Sequence, residues 1–109
     1  MKTVVIESPY AGDVEMNLRY LRAAMRDSLQ RGEAPFASHA LYTQPGVLRD
    51  DVLRERRLGI DAGFALGERL DAVAFYVDLG WSSGMLAARE HWEQRGRDVL
   101  IRTLPGWPG

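Results

Sequence analysis

The chain contains no cysteine, which excludes disulfides, thiolate catalysis and cysteine-ligated zinc. Histidine is nearly as scarce: His39 and His91 are the two present, far apart and without paired spacing, so no dedicated transition-metal site is expected. Long apolar runs are missing too. The longest falls well short of the ~20 residues needed to cross a bilayer. The first residues lead straight into a strand-like segment without a signal-peptide pattern, so a cytoplasmic protein with no membrane partner is expected. Neither charge sign dominates: 14 lysines and arginines face 15 acids, and the isoelectric point is about 6.1. No nucleic-acid polymer is therefore expected as a partner. Arg19, Arg22 and Arg26, and Arg49, Arg54, Arg56 and Arg57, form clusters. They read as solvated helix faces interleaved with acids.

What is present is ordinary for a globular domain. Of 109 residues, 46% are hydrophobic and 27% charged, enough for one modest core. Residues 1–104 read as a single domain and 105–109, "PGWPG", as a C-terminal tail. "TVVIE" (3–7) is a β-branched run expected as a buried strand. It stops at "SPYAGD", after which Asp13 is placed to cap a helix. Val14, Leu18, Leu21, Met25 and Leu29 form that helix's apolar stripe, and Gly32 ends it. "APFASHALY" (34–42) is read as a weaker strand. A second helix spans about Asp51 to Leu70, with Gly59, Gly63 and Gly67 four apart. Each glycine costs up to ~1 kcal/mol against alanine in a helix, so close approach of the sheet or a partner helix is expected to compensate. "AVAFYVD" (72–78) is the clearest strand. "SSGMLAAREHW" (82–92) opens the third helix, which ends near Gly96, and "DVLIRTL" (98–104) is the last strand.

The βαβαβαβ order predicts an α/β fold: a Rossmann-like three-layer sandwich whose four-stranded, mainly parallel sheet carries helices on both faces. Ligands of such sheets bind beyond the carboxyl ends of the strands, at the topological switch point. That rule gathers three loops into one crevice. "ESPYAG" contributes Ser8, Pro9, Tyr10 and Gly12, with the Tyr10 ring able to stack on a base or close over a sugar. "SHALYTQ" contributes His39, Tyr42 and Gln44. "DLGWSSGM" contributes Asp78, Gly80, Ser82, Ser83, Gly84 and Met85. Unpaired N–H groups at the start of the third helix favour a phosphate or a sugar hydroxyl there. Alternatively, Ser82 or Ser83 simply caps the helix. Trp81 either walls the crevice or lies in a subunit interface. His91, within a charged helix, is read as a surface residue.

The apolar first strand ending in "SPYAGD" resembles the nucleoside 2-deoxyribosyltransferase superfamily. So do Asp71 before an apolar strand and the Gly-rich turn running into "GMLAAREHWEQRGRDV". The likeness spans Val4 to about Leu104 and is greatest to small phage and bacterial members. It implies a Rossmann-like domain that binds a nucleoside or nucleotide, often as a dimer or larger homo-oligomer. Active members cleave or exchange the N-glycosidic bond with a helical carboxylate nucleophile and an assisting aspartate. Tyr10 matches a first-loop tyrosine that lines the sugar site. Gly84 matches the turn glycine, while Ser82 and Ser83 match positions that hold a sugar hydroxyl or 5′-phosphate. The nucleophile position, however, falls on Ala88 and the assisting aspartate on Ser82.

Alanine supplies neither a nucleophile nor the charge that an oxocarbenium-like transition state needs. Glu90 lies about 200° further round the helix and should point away. Glu7, Asp61 and Asp78 are the carboxylates left to substitute; Glu7 and Asp78, with His39 as proton carrier, are the weak catalytic candidates. The leading expectation is a protein that binds a nucleoside or nucleotide, such as a signalling nucleotide, without the usual chemistry and without a cofactor. The alternatives are a divergent N-glycosidic-bond hydrolase or deoxyribosyltransferase, and a protein-interaction module using the glycine-spaced helix and exposed Trp81, Trp92 and Trp107.

Overall fold

The computed structural model describes residues 1–108. Strand β1 (Lys2–Glu7) leads to helix α1 (Val14–Gln30), strand β2 (Glu33–Phe36) and a single helical turn, α2 (Ser38–Leu41). Helix α3 (Leu53–Gly67), strand β3 (Ala72–Tyr76), helix α4 (Ser83–Gln94) and strand β4 (Val99–Arg102) complete the chain. The four strands are all parallel, in the order β2-β1-β3-β4. This is the Rossmann-like α/β sandwich.

Strand alternation divides the core in two. Val4, Ile6, Ala74 and Tyr76 face α1 and meet its Tyr20, Leu21 and Ala24. Val5, Val73 and Phe75 face the other way and meet Met85, Ala88 and Trp92 of α4, with Phe64 of α3 against them. Covered on both sides, β3 is buried throughout, which is why it reads as an unbroken apolar run. The first helix begins as its sequence predicts, Asp13 accepting from the Met16 amide at 3.1 Å. It ends at Gly32, whose φ of +82° suits glycine alone.

The segment 34–42 departs from the expected strand. β2 lies at the sheet edge and pairs only with β1, Val5 opposite Phe36. Since β1 ends at Glu7, which the register sets opposite Ser38, residues 39–42 have no strand to pair with, and the chain turns into α2 instead. Pro35 is tolerated because β2 is an edge. Trp92 also departs from expectation. Rather than being exposed, it is fully buried. The segment read as a tail packs Trp107 edge-on against Tyr20, with ring centroids 5.0 Å apart.

The α3 glycines are packing sites. A Cβ on Gly63 would come within 3.0 Å of the Ser38 Cβ, and one on Gly67 within 2.7 Å of the Trp92 ring and 3.0 Å of Val5. Alanine ordinarily gains up to ~1 kcal/mol over glycine inside a helix. At Gly67 a rigid indole blocks it, and Gly67→Ala is expected to destabilise the domain by about 1–3 kcal/mol. Urea unfolding checks this; a variant as stable as the parent would show that the Trp92 contact yields.

Candidate functional site

β1 and β3 are neighbours whose chains continue to opposite edges, β1 toward β2 and β3 toward β4. This is the switch point of the sheet. Beyond it, on the α3/α4 side, lies a cavity of about 380 Å³, of the size that holds small molecules. The end of β1, α2, the following loop, α3 and the first half of α4 line it. All three sequence-predicted loops reach it.

Each wall has a local cause. β1 stops at the buried Ser8-Pro9 pair. The next loop is held by Asn17, whose Nδ2 donates to the carbonyls of Tyr10 (2.8 Å) and Ala11 (3.0 Å). The Tyr10 and His39 rings lie 5.1 Å apart, tilted, on the same wall. Burial pushes the His39 imidazole below its ordinary value, so at neutral pH it is an uncharged donor and acceptor. At the start of α4, Ser82 caps the helix, its Oγ accepting from the Met85 amide at 3.2 Å. Ser83 is exposed beside it. A Cβ on Gly84 would meet nothing nearer than 3.9 Å, so that backbone is open to an approaching group.

The pleat decides which strand-end acid enters the cavity. Glu7 follows Val5 by two residues and faces α3 and α4. Asp78 follows Tyr76 by two and faces α1, where Oδ2 accepts from Tyr20 (2.5 Å) and from the Leu104 amide (2.9 Å). Asp78 thus fastens the chain after β4 and is not on the cavity wall. Glu7 is on it. Its Oε2 accepts from the Trp92 indole at 2.9 Å, while Oε1 has no hydrogen bond among the described residues. Burial raises the Glu7 carboxyl from 4.5 to about 7, the Trp92 hydrogen bond opposing. Ala88, one helical turn before Trp92, lines the same cavity.

Of the sequence candidates, Glu7, Ser8, Tyr10, His39, Tyr42, Ser82, Ser83, Gly84 and Met85 come together on the cavity. Pro9, Gly12, Gln44, Asp78 and Gly80 do not line it. Gln44 instead donates to the Leu41 carbonyl at 2.9 Å, while Gly12 and Gly80 supply positive-φ turns (+99° and +86°). Asp61 and Glu90 are exposed and off the cavity, and Trp81 packs on Phe75 at 5.1 Å, under Arg89. His91 is not the surface residue its charged neighbours suggest. It is half-buried, lines the cavity and stacks on Phe64 at 3.7 Å. Its position three residues after Ala88 puts it on the same helix face, a signal the sequence contained. Asp50, Glu55 and Arg56 were also missed; they enter because the start of α3 and the loop before it form the outer wall.

Among the described residues, no group of three or more side chains could hold a metal ion. Nor is any helix long and apolar enough to cross a membrane. Fold and cavity together define a parallel α/β domain with a small-molecule-sized cavity at its switch point. The chain belongs to the family described as a domain of unknown function, DUF7768, whose model matches residues 2–102. No curated protein and no solved structure matches it.

Proposed function

We propose that the cavity binds a nucleoside or nucleotide-type small molecule. The observation that carries this reading is the meeting of three loops on one cavity. The Tyr10–His39 ring pair stands on one wall, and the hydroxyl- and amide-bearing Ser82–Gly84 turn on another. A flat heterocycle joined to a polyhydroxyl sugar has matching faces: aromatic surface for the base, donors and acceptors for the sugar. Thermal-shift measurements with nucleosides, deoxynucleosides and their mono-, di- and cyclic phosphates test it. At least one class is expected to raise the melting temperature in a concentration-dependent way; no shift across the panel would overturn the reading. Ala87 lines the cavity yet is otherwise exposed. Ala87→Trp is therefore expected to leave the unligated melting temperature nearly unchanged and to weaken the best ligand at least about tenfold, a loss of about 1.4 kcal/mol.

A second reading, cleavage or exchange of an N-glycosidic bond, is favoured by one observation. A carboxyl group, Glu7, lines the same cavity as Ala88 and is raised to about 7 by burial, the range suited to general acid–base work at neutral pH. Chromatography for free base after incubation with deoxynucleosides and deoxynucleotides distinguishes the two readings. Release that disappears in Glu7→Gln supports the enzyme, and none from the parent protein rejects it. Assembly into a homo-oligomer belongs to either reading. Leu53, Leu58 and Leu66 of α3 are exposed, and light scattering reports the state directly.

A further inference from the structure

The charged groups on the cavity are mostly acidic. Glu7 lies at the end of β1, Asp50 in the loop before α3, and Glu55 on α3; Arg56 is the one arginine on the wall. The remaining titratable groups are His39 on α2, His91 on α4 and the phenols of Tyr10 and Tyr42. His91 has Glu68, just past the end of α3, 3.8 Å away, and burial first, then Arg95, lowers its pKa. Two buried polar atoms on this lining, Ser8 Oγ and His91 Nε2, have no hydrogen-bond partner among the described residues. Trp92 occupies one oxygen of Glu7, its indole N–H donating at 2.9 Å. The other oxygen has no donor among the described residues, and Glu7 itself lines the cavity.

We propose that Glu7 is the specificity-determining group of this cavity, accepting on its free oxygen an N–H donor from the ligand. The chemistry it selects is an amino or amidine edge of a heterocycle, or a cationic nitrogen. A carboxylate already held by the Trp92 indole needs one further donor to be well satisfied, and the acidic lining favours a donor-rich or cationic group over an anionic one. The inference rests on the cavity being the ligand site and adds to it the ligand's recognised edge. It also couples binding to a proton. A donor stabilises the ionised carboxyl, so a ligand that engages it displaces the proton Glu7 carries below pH 7. Affinity therefore rises with pH through neutrality and levels above it.

Isothermal titration with benzamidine and with 2′-deoxyadenosine, at pH 6 and pH 8, tests this in the parent protein and in Glu7→Gln. Benzamidine carries the donor edge without a sugar, which separates this inference from the nucleoside reading. With Glu7 titrating near 7, affinity for a donor-bearing probe is expected to grow about tenfold from pH 6 to pH 8. In Glu7→Gln it should be weaker at pH 8 and lose most of that growth. Growth that survives in Glu7→Gln belongs to His39 or His91 and overturns the inference. So does affinity that falls as pH rises, which would make Glu7 a donor from its protonated form. Benzamidine bound in this Glu7-dependent way, while no member of the nucleoside and nucleotide panel binds, upholds the inference and rejects the nucleoside reading. Nucleosides bound with no dependence on Glu7 do the reverse, and failure of both probes to bind rejects the inference outright.

Discussion

Replacing Glu7 by Gln is expected to stabilise the unligated domain at pH 8 relative to pH 4, by roughly 3 kcal/mol measured against the parent protein. In the unfolded chain this carboxyl titrates near 4.5; in the folded protein burial holds it at about 7. A raised acid favours the fold while it is neutral. Its contribution is full below pH 4.5, declines as pH climbs and is lost above about 7, where a charge must be kept in a largely enclosed place. Glutamine keeps the same shape, can still accept from the Trp92 indole and never ionises. Urea unfolding of both proteins at the two pH values isolates the effect, because every other group titrates alike in each. An equal stability difference at both pH values would mean that water reaches Glu7 freely. The expected difference makes the same residue a strained acid in the empty protein and a satisfied one when a donor binds, the trade of stability for function found at many sites.

Arg102→Ala is expected to cost about 3–5 kcal/mol at neutral pH. Arg102 forms a two-pronged pair with Glu33, at 2.7 and 2.8 Å, and both side chains are almost wholly buried. Ser28 donates to the same carboxylate at 2.8 Å, and Arg102 also donates to Tyr76, whose hydroxyl donates to Asp27 at 2.6 Å. Removing the guanidinium strands a buried carboxylate. The hydrogen bonds of Arg102, then that of Ser28, hold Glu33 below its ordinary value against the opposing effect of burial. In the parent protein its contribution is therefore present above pH 4.5 and is lost as pH falls through the lower folded value. In the variant the orphaned carboxyl moves upward, so the deficit should shrink in mild acid, where it is protonated. Urea midpoints at pH 7 and pH 4.5 measure both parts. The double variant Arg102→Met, Glu33→Leu should regain most of the loss, since it leaves no charge unpaired and costs only the hydrogen bond of the buried Ser28 hydroxyl. A single variant as stable as the parent would show that the pair contributes little.

Much of this architecture was legible in the sequence, and the reasons differ by element. β1 and β3 announce themselves because a parallel strand covered on both faces must be apolar throughout. The α1 boundaries follow from a capping aspartate and a terminal glycine. Parallel order then forces the three strand-end loops to one side of the sheet, which is why nine of the candidate residues share the cavity. The failures have causes as definite. Segment 34–42 has a strand-like composition, but strand pairing is a property of two segments, and β1 ends too early to provide the second. Glu7 and Asp78 look alike as acids closing apolar strands. Only the pleat separates them, and single-residue parity is not readable when both faces are buried. The outer wall was invisible because periodicity in α3 tells which side avoids water; it does not tell that a gap separates α3 from α4. His91 and Trp92 were misjudged from their charged neighbours, although both lie on the helix face that carries Ala88.

The buried indole of Trp92 has an optical consequence. Among the three tryptophans, Trp81 lies beneath a guanidinium and Trp107 leans on Tyr20, its N–H without a partner among the described residues, whereas Trp92 is bonded to Glu7, whose carboxyl burial raises to about 7. Its emission is expected to respond to the charge there, because the indole N–H donates to the same carboxyl group. Trp92 is thereby an intrinsic reporter of the charge on Glu7, a residue of the cavity wall, and requires no dye.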